Sequence, residues 1–352
     1  MDISFYKGKK VLLTGHTGFK GSWLSEILLM AGAKVTGYAL EPESAPNLFS
    51  ICNLSERMHS VYGDIRDLAH LKSVFEEVQP EIVIHLAAQP IVRESYKNPV
   101  YTYETNVMGT VNVLECVRMT PSVKSFLNVT TDKVYQNNEW DRGYREDDIL
   151  NGYNPYSNSK SCSELVTDSY RNSFFKERDL AVSTARAGNV IGGGDFAVDR
   201  IIPDCIRAAQ KGEDIIVRNP YSVRPYQHVL EPLFAYLMIA KAQYEDKSFA
   251  GSYNVGPDDA DCLTTGALVT LFCDTWNKQT GKEIAWINKH DGGPHEAGFL
   301  KLDCGKLKST FGWKPTWNIE KTMEKIVEWS KVYAGGNAVS CMQLQMKEFM
   351  KE

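Results

Sequence analysis

A chain of 352 residues with 43% hydrophobic and 11% aromatic content can bury a large core in one domain or two, which excludes a small peptide-like scaffold. Its net charge of -5 and isoelectric point near 5.9 leave no broad cationic face for DNA, RNA or an anionic membrane. A small-molecule enzyme is the class that remains.

Through the first half, apolar runs bounded by turn residues alternate with longer amphipathic stretches, the rhythm of βαβ units and a parallel sheet. Strands are expected near Lys10–Thr14, Lys34–Tyr38, Ser60–Gly63, Glu81–Leu86, Ser125–Thr130 and Ala181–Arg186. Helices are expected at Gly21–Ala31, Leu68–Val78, Tyr101–Val117 and Tyr156–Phe175, where apolar positions recur three and four apart. The class is therefore α/β, a Rossmann-type doubly wound parallel sheet, with a dinucleotide-binding domain over residues 1–188. After Gly188 the run Gly192–Gly194 and five prolines, Pro203, Pro220, Pro225, Pro232 and Pro257, break the chain into shorter elements. Residues 189–335 are expected to form mainly a smaller, irregular substrate-binding lobe, with some segments returning to the sheet. Ile319–Val332 reads as a closing amphipathic helix, and 336–352 as a loosely attached tail.

Eight scattered cysteines form no C-x-x-C pair, which suits a reducing compartment and neither a zinc ribbon nor a disulfide framework. His85, His228 and His295 each stand alone, so no metal site is expected. The first ten residues lack a secretory h-region and no apolar run has membrane-spanning length, so the expected setting is cytoplasmic with no membrane contact.

Gly15-His16-Thr17-Gly18-Phe19-Lys20-Gly21 follows the first strand and opens the first helix. Glycines there permit a tight turn and let backbone N–H groups approach a diphosphate at the positive end of the helix dipole. The second strand ends without the acidic residue that binds a ribose 2′-hydroxyl; Glu41 and Glu43 come late. No arginine stands there for a 2′-phosphate, which leaves Lys20 or His16 as its partner, so NAD is favoured over NADP without excluding it. Asp64-Ile65, after the third strand, is placed to meet adenine, although an Asp there also serves as a helix cap.

Tyr156 and Lys160, four apart, share one helix face. A nearby ammonium favours the phenolate and makes proton exchange with a sugar hydroxyl feasible. At the end of the preceding strand lies Thr131-Asp132-Lys133-Val134-Tyr135, continued by Asn137, Glu139 and Trp140, where open α/β sheets bind substrate.

A Y-x-x-x-K pair about 140 residues after the glycine loop resembles the extended short-chain dehydrogenase/reductase superfamily. The Thr-Asp-Lys block is similar to that of the CDP-glucose branch of the nucleotide-sugar 4,6-dehydratases. Val134 replaces the usual Cys, Tyr226 the usual Trp, and Gly298 a frequent His. Further similar blocks are Gly15–Leu24, Asp64–Asp67, His85–Arg93, Thr105–Thr110, Arg186–Asp195, Val217–Pro220, Arg224–Pro232 and His295–Asp303.

The resemblance implies C4 oxidation by NAD, loss of water across C5 and C6, and hydride return to C6. Tyr156 would take the C4 hydroxyl proton with Thr131 on the same oxygen, Asp132 would be the acid and Lys133 the base. It adds Leu86, Ala87, Ala88 and Asn106 to the cofactor contacts. Gln89 and Arg93 would face the sugar, Arg200, Arg218 and Arg224 the diphosphate, with Asn189, His228 and His295 as polar substrate contacts. It implies a homodimer through the helices near Tyr101–Val117 and Tyr156–Phe175, and a role in 3,6-dideoxyhexose synthesis for surface polysaccharide. An epimerase would not need the Asp-Lys couple, and a non-catalytic cofactor-binding relative would not need Tyr156 and Lys160.

Overall fold

The computed structural model describes residues 2–289 and 298–352. Seven parallel strands form the central sheet in the spatial order 7-6-5-4-1-2-3. In chain order they are Lys10–Thr14, Lys34–Ala39, His59–Tyr62, Ile82–His85, Ser125–Val129, Ala181–Ala187 and Ser252–Val255. The chain runs outward from strand 1 to strand 3, then crosses to strand 4 on the other side of strand 1. That reversal opens a crevice at the carboxyl ends of strands 1 and 4.

The central strands are buried on both faces, and successive side chains go to opposite layers, as the pleat requires. Val11 and Leu13 join a core with Trp23, Ile27, Leu233 and Phe234, whereas Leu12 joins Leu71, Phe75, Leu114 and Phe126 on the other face. A third cluster, with Ile202, Phe272, Trp276 and Ile326, centres the smaller lobe.

The expected helices form: Leu68–Val78 with the expected ends, Phe19–Met30 with shifted ends, and Pro155–Tyr170 continued to Phe175 by a wide turn at Arg171–Phe175. The stretch expected at Tyr101–Val117 runs as Pro99–Tyr103, one wide turn at Glu104–Met108, and Gly109–Met119. A Cβ on Gly109 would lie 2.4 Å from Ile65 Cδ1, so a glycine lets this helix close on the third-strand loop. Two elements assigned beyond residue 188 return to the first half. Leu230–Glu245 packs on strands 5 and 6, and Ser252–Val255 becomes the seventh strand.

The loose tail expected over 336–352 is instead a helix, Ala338–Lys351, and this is a correction. Cys341, Met342, Met346 and Phe349 are buried in the main core, and Phe349 stacks on Phe234 at 5.1 Å. Gly335-Gly336 is the turn between two packed helices, with Gly336 at φ +81°, and not a linker. Met342 has no exposed surface and meets Cys52 at 3.6 Å. Met342→Ala is expected to lower stability by about 2–5 kcal/mol, read from the urea midpoint, whereas a loose tail would lose nothing.

Candidate active site

The glycine loop sits at the crevice. Gly15 has φ +78°, and a Cβ there would come 2.7 Å from Ala87 N, so only glycine lets the loop close on the segment after strand 4. Leu86 N and Ala87 N both donate to Thr14 Oγ1 at 3.1 Å, which holds the Leu86-Ala87-Ala88 segment beside the turn. Thr17 Oγ1 donates to Leu40 O at 2.9 Å. Gly18 precedes Phe19–Met30 and offers no side-chain cap, and the first turn carries no acidic residue. These N–H groups and the helix dipole therefore fit an anionic diphosphate.

The two loop cations assigned to a 2′-phosphate do not present themselves for one. His16 is fully buried, its Nε2 lies 2.7 Å from Ser60 Oγ, and burial lowers its pKa to about 4, so it is neutral. Lys20 turns inward, 5.9 Å from the Tyr236 ring centroid. Burial lowers its pKa to about 7, with repulsion from Lys160 and Arg200 adding and Asp132 opposing. Asp64 is paired with Arg66 at 2.7 Å, and Ile65 is buried against Gly109.

On the other side of the crevice, Thr131, Asp132 and Lys133 follow strand 5 while Tyr156 and Lys160 lie in the first turns of Pro155–Tyr170, capped by Asn154. Thr131 Oγ1 donates to Asp132 Oδ1 at 2.9 Å, and the same hydroxyl acts on the Tyr156 phenol, favouring its ionised form. Lys133 Nζ meets Asp132 Oδ1 at 2.9 Å, and Asn189 Nδ2 donates to Oδ2 at 2.9 Å. Asp132 has no exposed surface, whereas the Lys133 side chain is 27% exposed and can reach a ligand. Burial raises the pKa of the Tyr156 phenol; the Thr131 hydroxyl opposes this, Asp132 adds to it and Arg200 opposes it.

Lys160 differs from the expected direct partner of the phenol. Its ammonium donates to Val129 O at 3.1 Å, and burial lowers its pKa to about 8, with Glu164 opposing. Beneath it, Glu164 pairs with Arg186 at 2.9 Å, accepts from Thr184 Oγ1 at 2.7 Å and also accepts from Thr130.

Several of the expected ligand contacts have protein partners in this structure. Asn106 Oδ1 accepts from Gln89 N at 2.8 Å and its Nδ2 donates to Ser159 Oγ at 2.9 Å. The Gln89 amide bonds Thr102 Oγ1 at 2.9 Å and Ile91 N at 2.6 Å, so these two residues tie the loop after strand 4 to the neighbouring helices. Asn189 faces Asp132. His228 is fully buried, with its ring 4.9 Å from Trp317 and 6.0 Å from Trp23, so it packs the core. Arg93 is half-buried in Val92–Lys97. Arg200 pairs with Asp195 at 2.9 Å, Arg218 with Asp199 at 2.8 Å, and Arg224 is buried with Nη1 on Val223 O at 2.9 Å. His295 lies outside the described residues.

Sequence reasoning missed Glu164 and Tyr236. Glu164 continues the Tyr156, Lys160 spacing by another four residues, which was a readable signal. Tyr236 had none: it sits in an apolar helix, fully buried, its hydroxyl without a hydrogen-bond partner among the described residues. The negative charge of an ionised Tyr156 raises its pKa further above the effect of burial.

A hydroxyl, a carboxylate and an amine thus form one hydrogen-bonded file, with the Tyr156 phenol at its Thr131 end, beside a loop shaped for a diphosphate. A protein-family model described as GDP-mannose 4,6 dehydratase matches residues 12–326. The chain belongs to that family. It is 46% identical to a CDP-glucose 4,6-dehydratase of Salmonella typhimurium, over 99% of this chain and 98% of that one. It is 27% identical to a dTDP-glucose 4,6-dehydratase of the same organism, over 91% and 92%. Its fold matches the crystal structure of a dTDP-glucose 4,6-dehydratase of Bacillus anthracis in complex with NAD, with TM-score 0.76 and 22% identity over 94% and 98%.

Burial lowers the pKa of His16 to about 4 and of His85 and His228 to about 3. Each ring is neutral in the fold and takes up a proton more readily once unfolded, so stability is lost as pH falls from about 6.5 toward these values. His228→Phe should reduce the slope of unfolding free energy against pH by up to about 1.4 kcal/mol per unit, measured by urea unfolding between about pH 6.5 and 4.5. An unchanged slope would mean that His228 is charged in the native core.

Proposed function

We propose that this protein is a CDP-D-glucose 4,6-dehydratase, converting CDP-D-glucose into CDP-4-dehydro-6-deoxy-D-glucose and water in the cytoplasm. The observation that carries this reading is the file Tyr156, Thr131, Asp132, Lys133, because redox at C4 alone needs only its first half. The 46% identity to a CDP-glucose 4,6-dehydratase supports cytidine. All eight cysteines are free, which suits a reducing compartment. The reaction would serve deoxysugar synthesis for surface polysaccharide.

When bound, NAD supplies the redox chemistry, taking hydride from C4 and giving it back at C6. The turn Gly15–Gly21 and the uncapped helix N terminus hold its diphosphate. Tyr156 takes the C4 hydroxyl proton as the phenolate, the form that the Thr131 hydroxyl and the Arg200 charge favour against burial, and Thr131 hydrogen-bonds the same oxygen. The resulting ketone acidifies the C5 proton.

Elimination then needs an acid and a base, whereas the resting site holds an ion pair. Moving one proton across the 2.9 Å contact from Lys133 to Asp132 yields a carboxylic acid and a free amine at unchanged net charge. Closure around the sugar excludes water and favours that neutral pair. Lys133 takes the C5 proton while Asp132 protonates the departing C6 hydroxyl, which leaves as water and restores the ion pair. Lys133 later returns its proton to C5. One turnover therefore leaves a surplus proton on Tyr156 and a deficit on Lys133, and Thr131 and Asp132 provide the path between them. Arg200, Arg218 and Arg224 grip the substrate diphosphate, and Arg93 faces the sugar.

CDP-glucose, dTDP-glucose and GDP-mannose incubated in deuterated water should give a 4-dehydro-6-deoxy product from CDP-glucose alone, with solvent deuterium at C5 by NMR. Product from another nucleotide sugar at equal rate would overturn the cytidine assignment. Tyr156→Phe should cost about 10²–10⁴-fold in kcat while NAD binding, measured by calorimetry, is kept. Full activity there would remove Tyr156 from the mechanism.

The reading includes a homodimer. Val100, Met108, Leu165 and Phe174 are exposed on the two helical stretches assigned to pairing, beside an apolar hollow of about 460 Å³ lined by Pro99, Val107 and Cys162. Gel filtration with light scattering should give twice the chain mass, and Met108→Glu with Leu165→Glu should give the chain mass. A parent chain that is monomeric at micromolar concentration contradicts it.

A further inference from the structure

We propose that Asn189 is a positioning residue for the elimination, holding the Asp132 carboxylate where it can protonate the departing C6 hydroxyl; this rests on the dehydratase reading above. Asp132 Oδ1 receives Thr131 Oγ1 and Lys133 Nζ, each at 2.9 Å, so the proton that Lys133 passes on arrives at Oδ1 and Oδ2 is the oxygen left to be held in place. Oδ2 is the atom that Asn189 Nδ2 meets at 2.9 Å. An amide NH₂ suits both states of the group, because Oδ2 accepts from it as a carboxylate oxygen before the transfer and as the carbonyl oxygen of the acid after it.

The backbone is built around this contact. Asn189 has φ 48°, a left-handed conformation that costs a residue with a side chain about 1 kcal/mol and that Asn tolerates better than most. A Cβ on Gly188 would lie 1.9 Å from Asp132 Cγ, so the preceding residue has to be glycine for the turn to wrap the carboxylate. Gln227 N and Nε2 donate to Asn189 O at 3.3 Å and Gly188 O at 3.4 Å, and the short ladder of Val190–Ile191 with Gln227–His228 fixes the turn from behind. Strain held in place by surrounding structure at a buried charged group marks a functional constraint.

Asn189→Gly removes the amide while easing the backbone, so the turn should survive. Asn189→Asp keeps the shape but sets a second carboxylate against Asp132. With CDP-glucose, Asn189→Gly should lose about 10–100-fold in kcat with KM within about threefold of the parent. In a single turnover the absorbance of reduced dinucleotide should rise as in the parent and decay more slowly, because oxidation is intact and elimination is delayed. Asn189→Asp should be slower still; if it fails to fold by circular dichroism, Asn189→Gly alone decides. A raised KM with kcat retained would make Asn189 a substrate ligand and overturn the proposal, as would a kcat of Asn189→Gly within about threefold of the parent. If the dehydratase reading itself is wrong, the parent yields no product or transient from CDP-glucose, which is a separate result.

Discussion

The contact between Lys133 and Asp132 is the interaction on which the rest of the site depends. Removing charges from water costs several kcal/mol per ion, so a buried carboxylate persists only where donors replace its hydration. Asp132 has three, from Thr131, Lys133 and Asn189, and they come from two different segments. The segments meet because strands 5 and 6 are parallel neighbours in register, Val129 opposite Ala185, which brings their carboxyl ends to one place.

A second buried ion pair supports the first. Arg186, on strand 6, reaches Glu164 on Pro155–Tyr170, and its Nη1 also donates to Tyr135 Oη at 2.9 Å. Glu164 in turn bonds Thr130 and Thr184, so the helix that carries Tyr156 and Lys160 is bound to both strands beneath the site. The tyrosine and the Asp-Lys couple therefore belong to one rigid platform. Rigid placement matters here because general acid-base catalysis requires hydrogen-bond reach at every transfer.

Much of this was legible in the residues. The period of the first half identified six of the seven sheet strands, and the glycine loop and the Tyr156, Lys160 spacing placed the two walls of the crevice. The polar residues in the blocks that resemble the family share a feature that the sequence did not show: the fold uses them to satisfy buried backbone and side-chain groups. Gln89 and Asn106 clamp a loop, His228 fills space between indoles, and Asn189 serves a carboxylate 57 residues away. A side chain's type announces that it will hydrogen-bond, not with what.

Local signals, alternation of apolar residues, glycines at a strand-to-helix turn, a phenol and an amine four apart on a helix, were enough by themselves to indicate the α/β class, the dinucleotide loop and the Tyr156, Lys160 pair. Tertiary structure decided the return of Leu230–Glu245 and Ser252–Val255 to the first half, the burial of Ala338–Lys351, and the partner of every buried polar group. The physical reason is range: periodicity and turn chemistry act over a few residues, whereas desolvation is relieved by whichever donors the packed chain brings within about 3 Å.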